Sequence, residues 1–195
     1  EEKLLQIPGE DEAIRQRHAA YYAAFLQSQE EKLKGAGETS ALALITADID
    51  NVRLAWRWAI AHLNLAELNQ AMEILWLFYE MLGWYLEGKD AFDKVVLMLS
   101  TYCDAGEAPP EADLLLARGL TFQAWFTTRL GGFEQAKAVF QESLSLLQRS
   151  EGDTRYDTAL NQFYYGVTLY LGGEYVAATP VAQQALVGFK ALGDY

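Results

Sequence analysis

Few residues in this chain are of types that could do chemistry. His18 and His62 are the only histidines, they stand far apart in sequence, and neither has ligand-spaced companions. A zinc site needs three or four converging ligands, so His18, beside Tyr21 and Tyr22 on an apolar helical face, reads as a hydrogen-bonded core or seam histidine. Cys103 is the single cysteine. No internal disulfide can form, which points to a reducing, cytoplasmic setting. With no histidine near it in sequence, Cys103 reads as a small apolar filler near a helix end. Asp48, Asp50 and Asn51 form the densest polar cluster, placed where the helical pattern runs on without a break. A carboxylate pair does acid–base work only when its surroundings push the two pKa values apart, and nothing adjacent would do that. The expectation is that Asn51 or Asp50 makes a buried tie to a neighbouring helix terminus, because buried polar groups are satisfied. There is no Gly-x-x-x-x-Gly-Lys-Ser/Thr loop, no Ser/His/Asp arrangement and no cysteine pair. The expectation is no enzyme, no metal and no cofactor.

What positions these residues is a phrase that occurs twice. Gly131-Gly132-Phe133-Glu134-Gln135-Ala136, then Phe140, Ser143 and Leu144, aligns with Gly173-Glu174-Tyr175-Val176-Ala177-Ala178, then Ala182, Ala185 and Leu186. The shift is 42 residues from Ala136 to Ala178, and equally from Ala124 to Gly166. The glycine allows a left-handed turn after one helix, the aromatic plugs the seam between paired helices, and the alanine lets them approach closely. A fixed period of this length means stacked helix-turn-helix units that bury their apolar faces on one another. Ala136 and Ala178 are therefore expected at close helix crossings.

Helical periodicity runs almost end to end. After a break at Pro8-Gly9, a helix is expected over Glu10–Lys34, with Ile14, His18, Tyr21, Tyr22, Phe25 and Leu26 on one side. Gly35-Ala36-Gly37 stops it, and Thr39 or Ser40 caps a second helix running to about His62. A third is expected over Leu65–Leu86, Gly88 turns the chain, and a fourth covers Ala91–Tyr102. Asp104–Pro110 is the clearest loop and the expected boundary between an atypical portion, residues 10–104, and two regular pairs within 105–195. Those pairs are Glu111–Leu130 with Phe133–Arg149, and Asp157–Leu171 with Tyr175–Leu192. Asp153 or Thr154 is the expected cap of the third of these, and Pro180 falls near the first turns of the last. About eight helices and no sheet are expected. Residues 1–9 read as the tail of a preceding, winged-helix-like module, and Leu192-Gly193-Asp194-Tyr195 stops where a further repeat would begin.

Half the residues are hydrophobic (51%), ample for a continuous core, while the formal net charge is −12. A surface that acidic repels phosphate backbones, so no direct nucleic-acid binding is expected. No apolar run reaches about 18 residues, so no membrane span is expected.

The two units resemble tetratricopeptide repeats. Gly166, Tyr175, Ala178 and Ala185 hold the pattern positions in one, and Ala124, Phe133, Ala136, Phe140 and Ser143 in the looser other. The period of 42 exceeds the usual one of about 34, which indicates longer helices. Arg17-His18-Ala19-Ala20-Tyr21-Tyr22 and the stretch Asp48-Ile49-Asp50-Asn51-Val52-Arg53-Leu54-Ala55-Trp56-Arg57-Trp58-Ala59 resemble the region after the nucleotide-binding and winged-helix modules of bacterial STAND proteins, signal-transduction ATPases with numerous domains. Trp76-Leu77-Phe78-Tyr79 with Leu86-Glu87-Gly88 is similar to their first, atypical repeat.

The resemblance implies an all-α, right-handed superhelical solenoid of antiparallel helix pairs. It also implies a non-catalytic sensor and interaction module of a signalling or transcription regulator. Its partner would be a protein, a peptide or a small inducer. In such stacks the first helix of each pair lines the concave face, which places Thr121, Trp125, Thr128, Arg129, Phe163 and Tyr170 there, with Phe78 and Tyr85 from the earlier unit. Val167 falls on or near the same face. Leu120, Phe126, Leu130, Tyr165 and Leu169 are left to supply the core. Exposed aromatics with an arginine are what interface hot spots are made of. The competing expectation is a structural arm that packs on the ATPase core of the same protein or on copies of itself as a homo-oligomer.

Overall fold

The computed structural model describes residues 10–106 and 108–193, and the expected tail over residues 1–9 lies outside them. Among the described residues the chain is all α-helical, with no strand. It divides into two compact units between Leu82 and Gly83.

The first unit holds α1 (Glu10–Ser28), α2 (Glu30–Leu33), α3 (Glu38–Ala47), α4 (Ile49–Ala61) and α5 (Leu65–Leu82). α1 packs on α4 and α5, and α2 on α3 and α5. Two expected helices are each broken in two. The Ser28 hydroxyl donates to the Phe25 carbonyl (2.7 Å), and the Gln29 amide turns to Leu26 instead (2.9 Å). A side chain that competes for a backbone acceptor ends the helix without any glycine. At Asp48 the helical dihedrals lapse (φ −109°, ψ 13°). Neither Thr39 nor Ser40 is a cap; α3 begins at Glu38 behind Gly37. The buried stripe of α1 is Ala19, Ala23 and Leu26, while Tyr21 faces solvent.

The second unit holds α6 (Tyr85–Asp104), α7 (Pro110–Arg129), α8 (Phe133–Arg149), α9 (Arg155–Leu171) and α10 (Tyr175–Leu192). Each helix packs on the next in the chain, and α7 also packs on α9. The two regular pairs fall within a residue or two of their expected bounds, and Pro180 lies inside α10. Gly131 and Gly173 are both left-handed, at φ 85° and 84°. In each turn the next amide reaches back into the preceding helix, Gly132 to Thr127 (2.9 Å) and Glu174 to Leu169 (2.8 Å). Such a turn satisfies carbonyls that the helix end would otherwise leave open.

The expected turn at Gly88 is corrected. Gly83 is left-handed (φ 69°), α5 ends at Leu82, and Trp84-Tyr85 opens α6. Gly88 is buried inside α6, where a Cβ would stand 2.5 Å from the Phe126 ring. α6 thus belongs with α7, and the loop before Pro110 lies within the second unit rather than at its edge. No helix among the described residues is long and apolar enough to cross a membrane.

Candidate functional site

The polar residues singled out by type do not assemble. His18 is half-buried, its ring 4.8 Å from Tyr22. His62 is exposed, stacked on Trp58 at 3.6 Å, with Nδ1 3.0 Å from the Trp58 carbonyl. Asp50 and Asn51 are exposed, contrary to the expected buried tie. The tie belongs to Asp48, whose Oδ1 accepts from the Tyr22 hydroxyl and from Asn51 Nδ2, both at 3.2 Å. Asp48 stands between α3 and α4, and from there its carboxylate reaches the Tyr22 hydroxyl of α1. No group of three or more His, Cys, Asp or Glu among the described residues is placed to hold a metal ion.

Cys103 opens on a polar hollow of about 460 Å³, lined also by Ser100, Asp104, Asp113, Glu142 and Arg149. Burial first, and then the hydrogen bond and charge of Asp113, push its thiol up to about 11. A thiol so raised is protonated at neutral pH and is a poor nucleophile.

The expected concave-face residues separate into four places. Phe78 is fully buried in the first unit. Thr121, Trp125 and Thr128 are also buried, Trp125 at 6% exposure, because α9 lies over them. Tyr164 packs on Trp125 (ring centroids 4.5 Å), Thr168 meets the Thr128 hydroxyl at 2.8 Å, and Asn161 Nδ2 donates to Thr121 Oγ1 (3.1 Å) and to the Phe140 carbonyl (3.2 Å). Ser143 completes this knot, 2.9 Å from the Thr121 hydroxyl while donating to the Ala117 carbonyl at 2.7 Å. These three residues are core. Arg129 is exposed, its guanidinium 4.5 Å over the Tyr85 ring and 5.6 Å over that of Trp125, and it donates to the Tyr85 hydroxyl. The Tyr85–Arg129–Trp125 stack closes the end of α7 against α6. Leu130, expected in the core, is exposed.

Phe163 and Tyr170 do meet, in a groove between α9 and α10. It measures about 390 Å³ and is lined by Phe163, Gly166, Val167, Tyr170, Tyr175, Ala178, Thr179 and Ala182. Phe163 is 45% exposed, and Tyr170 and Tyr175 are 60% exposed, with the two tyrosine rings edge to face at 5.2 Å. Helix crossing forms the floor, where a Cβ on Gly166 would stand 3.4 Å from the Ala182 amide nitrogen, in ordinary van der Waals contact. No lining residue carries a charge. Tyr175, Thr179 and Ala182 were missed as site residues, although the 42-residue shift from Phe133, Lys137 and Phe140 marks them.

An uncharged, concave, aromatic-rimmed surface can hold an apolar ligand or side chains. Comparison with family models, with curated proteins and with solved structures finds no match.

Proposed function

We propose that this chain is a non-catalytic sensor and interaction module of a cytoplasmic STAND-type signalling or transcription regulator. Its helix pairs would form a right-handed tetratricopeptide-like solenoid that binds a protein, a peptide or a small inducer. The observation that carries this reading is the α9–α10 groove, which leaves three aromatic rings open to solvent without a charged neighbour in the lining. Exposed apolar surface of that kind marks interaction sites. The net charge of −12 argues against a nucleic-acid partner.

A second reading, the structural arm, draws on α10 itself. Its outer face exposes Val176 (91%) and Val187 (67%), which would suit packing on the ATPase core or on another copy. A photo-cross-linking residue at position 170, used in cells, separates the two. Adducts with another protein, a peptide or a small molecule support the sensor. Adducts confined to the same polypeptide or to a second copy support the arm.

A further inference from the structure

The polar hollow between α6, α7 and α8 holds charges of both signs that do not meet. Glu142 and Arg149 stand seven residues apart on one face of α8, about 10 Å along its axis. Asp104 lines the hollow from the end of α6, and Asp113 from the first turn of α7. Among the described residues Arg149 has no carboxylate partner and turns Nε to the Ser145 carbonyl of its own helix (3.2 Å). Asp104 and Glu142 have no cationic partner either. By contrast Asp90, Asp93, Glu134, Asp153, Asp157 and Glu174 of the same unit each meet a lysine or arginine at 2.5 to 2.7 Å. Asp113 is engaged by the Cys103 thiol. Two carboxylates and one guanidinium are therefore left free around a space of about 460 Å³.

The hollow belongs to these three helices and not to the repeat. Shifting by 42 residues carries Glu142, Leu146 and Arg149 onto Gln184, Gly188 and Ala191. There Gly188 lets α10 come so close to α9 that a Cβ on it would stand 2.8 Å from the Ala159 Cβ. Leu146 carries a side chain and cannot follow, so the earlier seam stays open, and its α8 wall is charged where that of α10 is neutral. The carboxylates do not converge on a point, since no group of three or more His, Cys, Asp or Glu among the described residues is placed to hold a metal ion. Opposite charges held apart across a hollow fit an extended ligand that carries separated charges of its own.

We infer that the hollow binds a free basic amino acid of the size of lysine, with its carboxylate on Arg149 and its two cationic groups on Asp104 and Glu142. A guanidinium takes a carboxylate through two parallel hydrogen bonds, and charge-assisted bonds of this kind fix orientation as well as affinity. Leu116 and Leu146 supply apolar surface for the methylene chain. A few hundred cubic ångströms is the usual range of small-ligand sites. The hollow shares no residue with the α9–α10 groove and does not depend on what covers that groove.

Isothermal titration of the intact protein tests this with lysine and three analogues, each lacking one of its charges. Norleucine lacks the side-chain ammonium, cadaverine the carboxylate, and Nα-acetyl-lysine the α-ammonium. Lysine is expected to bind in the sub-millimolar range, and each analogue at least about tenfold more weakly. Arg149→Gln is expected to abolish the preference for lysine over cadaverine. Asp104→Asn with Glu142→Gln is expected to abolish the preference over norleucine and Nα-acetyl-lysine. All three positions are exposed, so both variants are expected to melt with the parent, and the change in selectivity is then a property of the site. No lysine binding at millimolar concentration, equal binding of any analogue, or parental selectivity in both variants overturns the proposal. None of these results touches the α9–α10 groove, which the cross-link at position 170 reads separately.

Discussion

The ring of Phe126 fills the space that a side chain at position 88 would need. Phe126 is fully buried, and a Cβ on Gly88 would come within 2.5 to 2.8 Å of three of its ring atoms. Alanine is ordinarily favoured over glycine inside a helix by about 1 kcal/mol, but a buried ring cannot give way by the needed distance without leaving its rotamer. Overpacking wins, and Gly88→Ala is expected to destabilise by about 1–3 kcal/mol. Urea denaturation checks the sign, and pairing it with Phe126→Leu is expected to recover part of the loss, as coupled neighbours do.

Trp125 is core, and its truncation is expected to show this. Trp125→Ala removes the ring that lies between Tyr164 and the Arg129 guanidinium, which is expected to cost about 3–5 kcal/mol. A melting temperature unchanged from the parent would place the indole outside the core. Ala136, at 0% exposure, is expected to lose about 1–3 kcal/mol on replacement by Leu, with a smaller loss at the less enclosed Ala178.

Arg118 and Asp157 join α7 to α9 through two hydrogen bonds, at 2.7 and 3.0 Å, with the Asp157 side chain almost wholly buried. Removing the carboxylate takes both of these hydrogen bonds from a partly buried guanidinium. Asp157→Ala is expected to cost about 3 kcal/mol by chemical denaturation. A loss below about 0.5 kcal/mol would mean that the pair behaves as a surface one.

The raised thiol of Cys103 gives a pH prediction. Its folded value lies above its ordinary 9.0, at about 11, so the folded state holds the proton more tightly than the unfolded chain. The associated stability is full below the unfolded value and is lost as pH rises through about 11. At pH 8 about one thiol in a thousand is ionised, and alkylation is expected to be far slower than for a free thiol. Asp113→Asn, which removes the neighbouring charge, is expected to speed it.

The second unit was legible because its turns are written in glycine. Gly131 and Gly173 adopt the left-handed turn in one register, and both helix pairs follow from that spacing. The same phrase stands a third time at Gly83, Tyr85 and Gly88, ahead of Gly131, Phe133 and Ala136 by 48 residues rather than 42. The changed spacing hid it, and Gly88 was read as the turn when it holds the small crossing position. In the first unit the chain reverses at Leu63 (φ 50°) and breaks at Gln29, neither of which carries a glycine signal.

Periodicity also told which residues share a register, but not which copy is covered. Trp125 and Val167 occupy the same position, and only the packing of α9 on the first makes it core. Burial by a helix more than 25 residues away is a tertiary fact with no local trace in sequence.

The most direct measurement is a paired one on Tyr170→Ala: the melting temperature, and the affinity for the partner captured by cross-linking at that position. Tyr170 is 60% exposed, so its truncation is expected to leave the melting temperature nearly unchanged while weakening binding by about 2 kcal/mol or more, as hot-spot residues do. Affinity unchanged in a folded Tyr170→Ala protein would contradict the claim that the α9–α10 groove is the recognition surface.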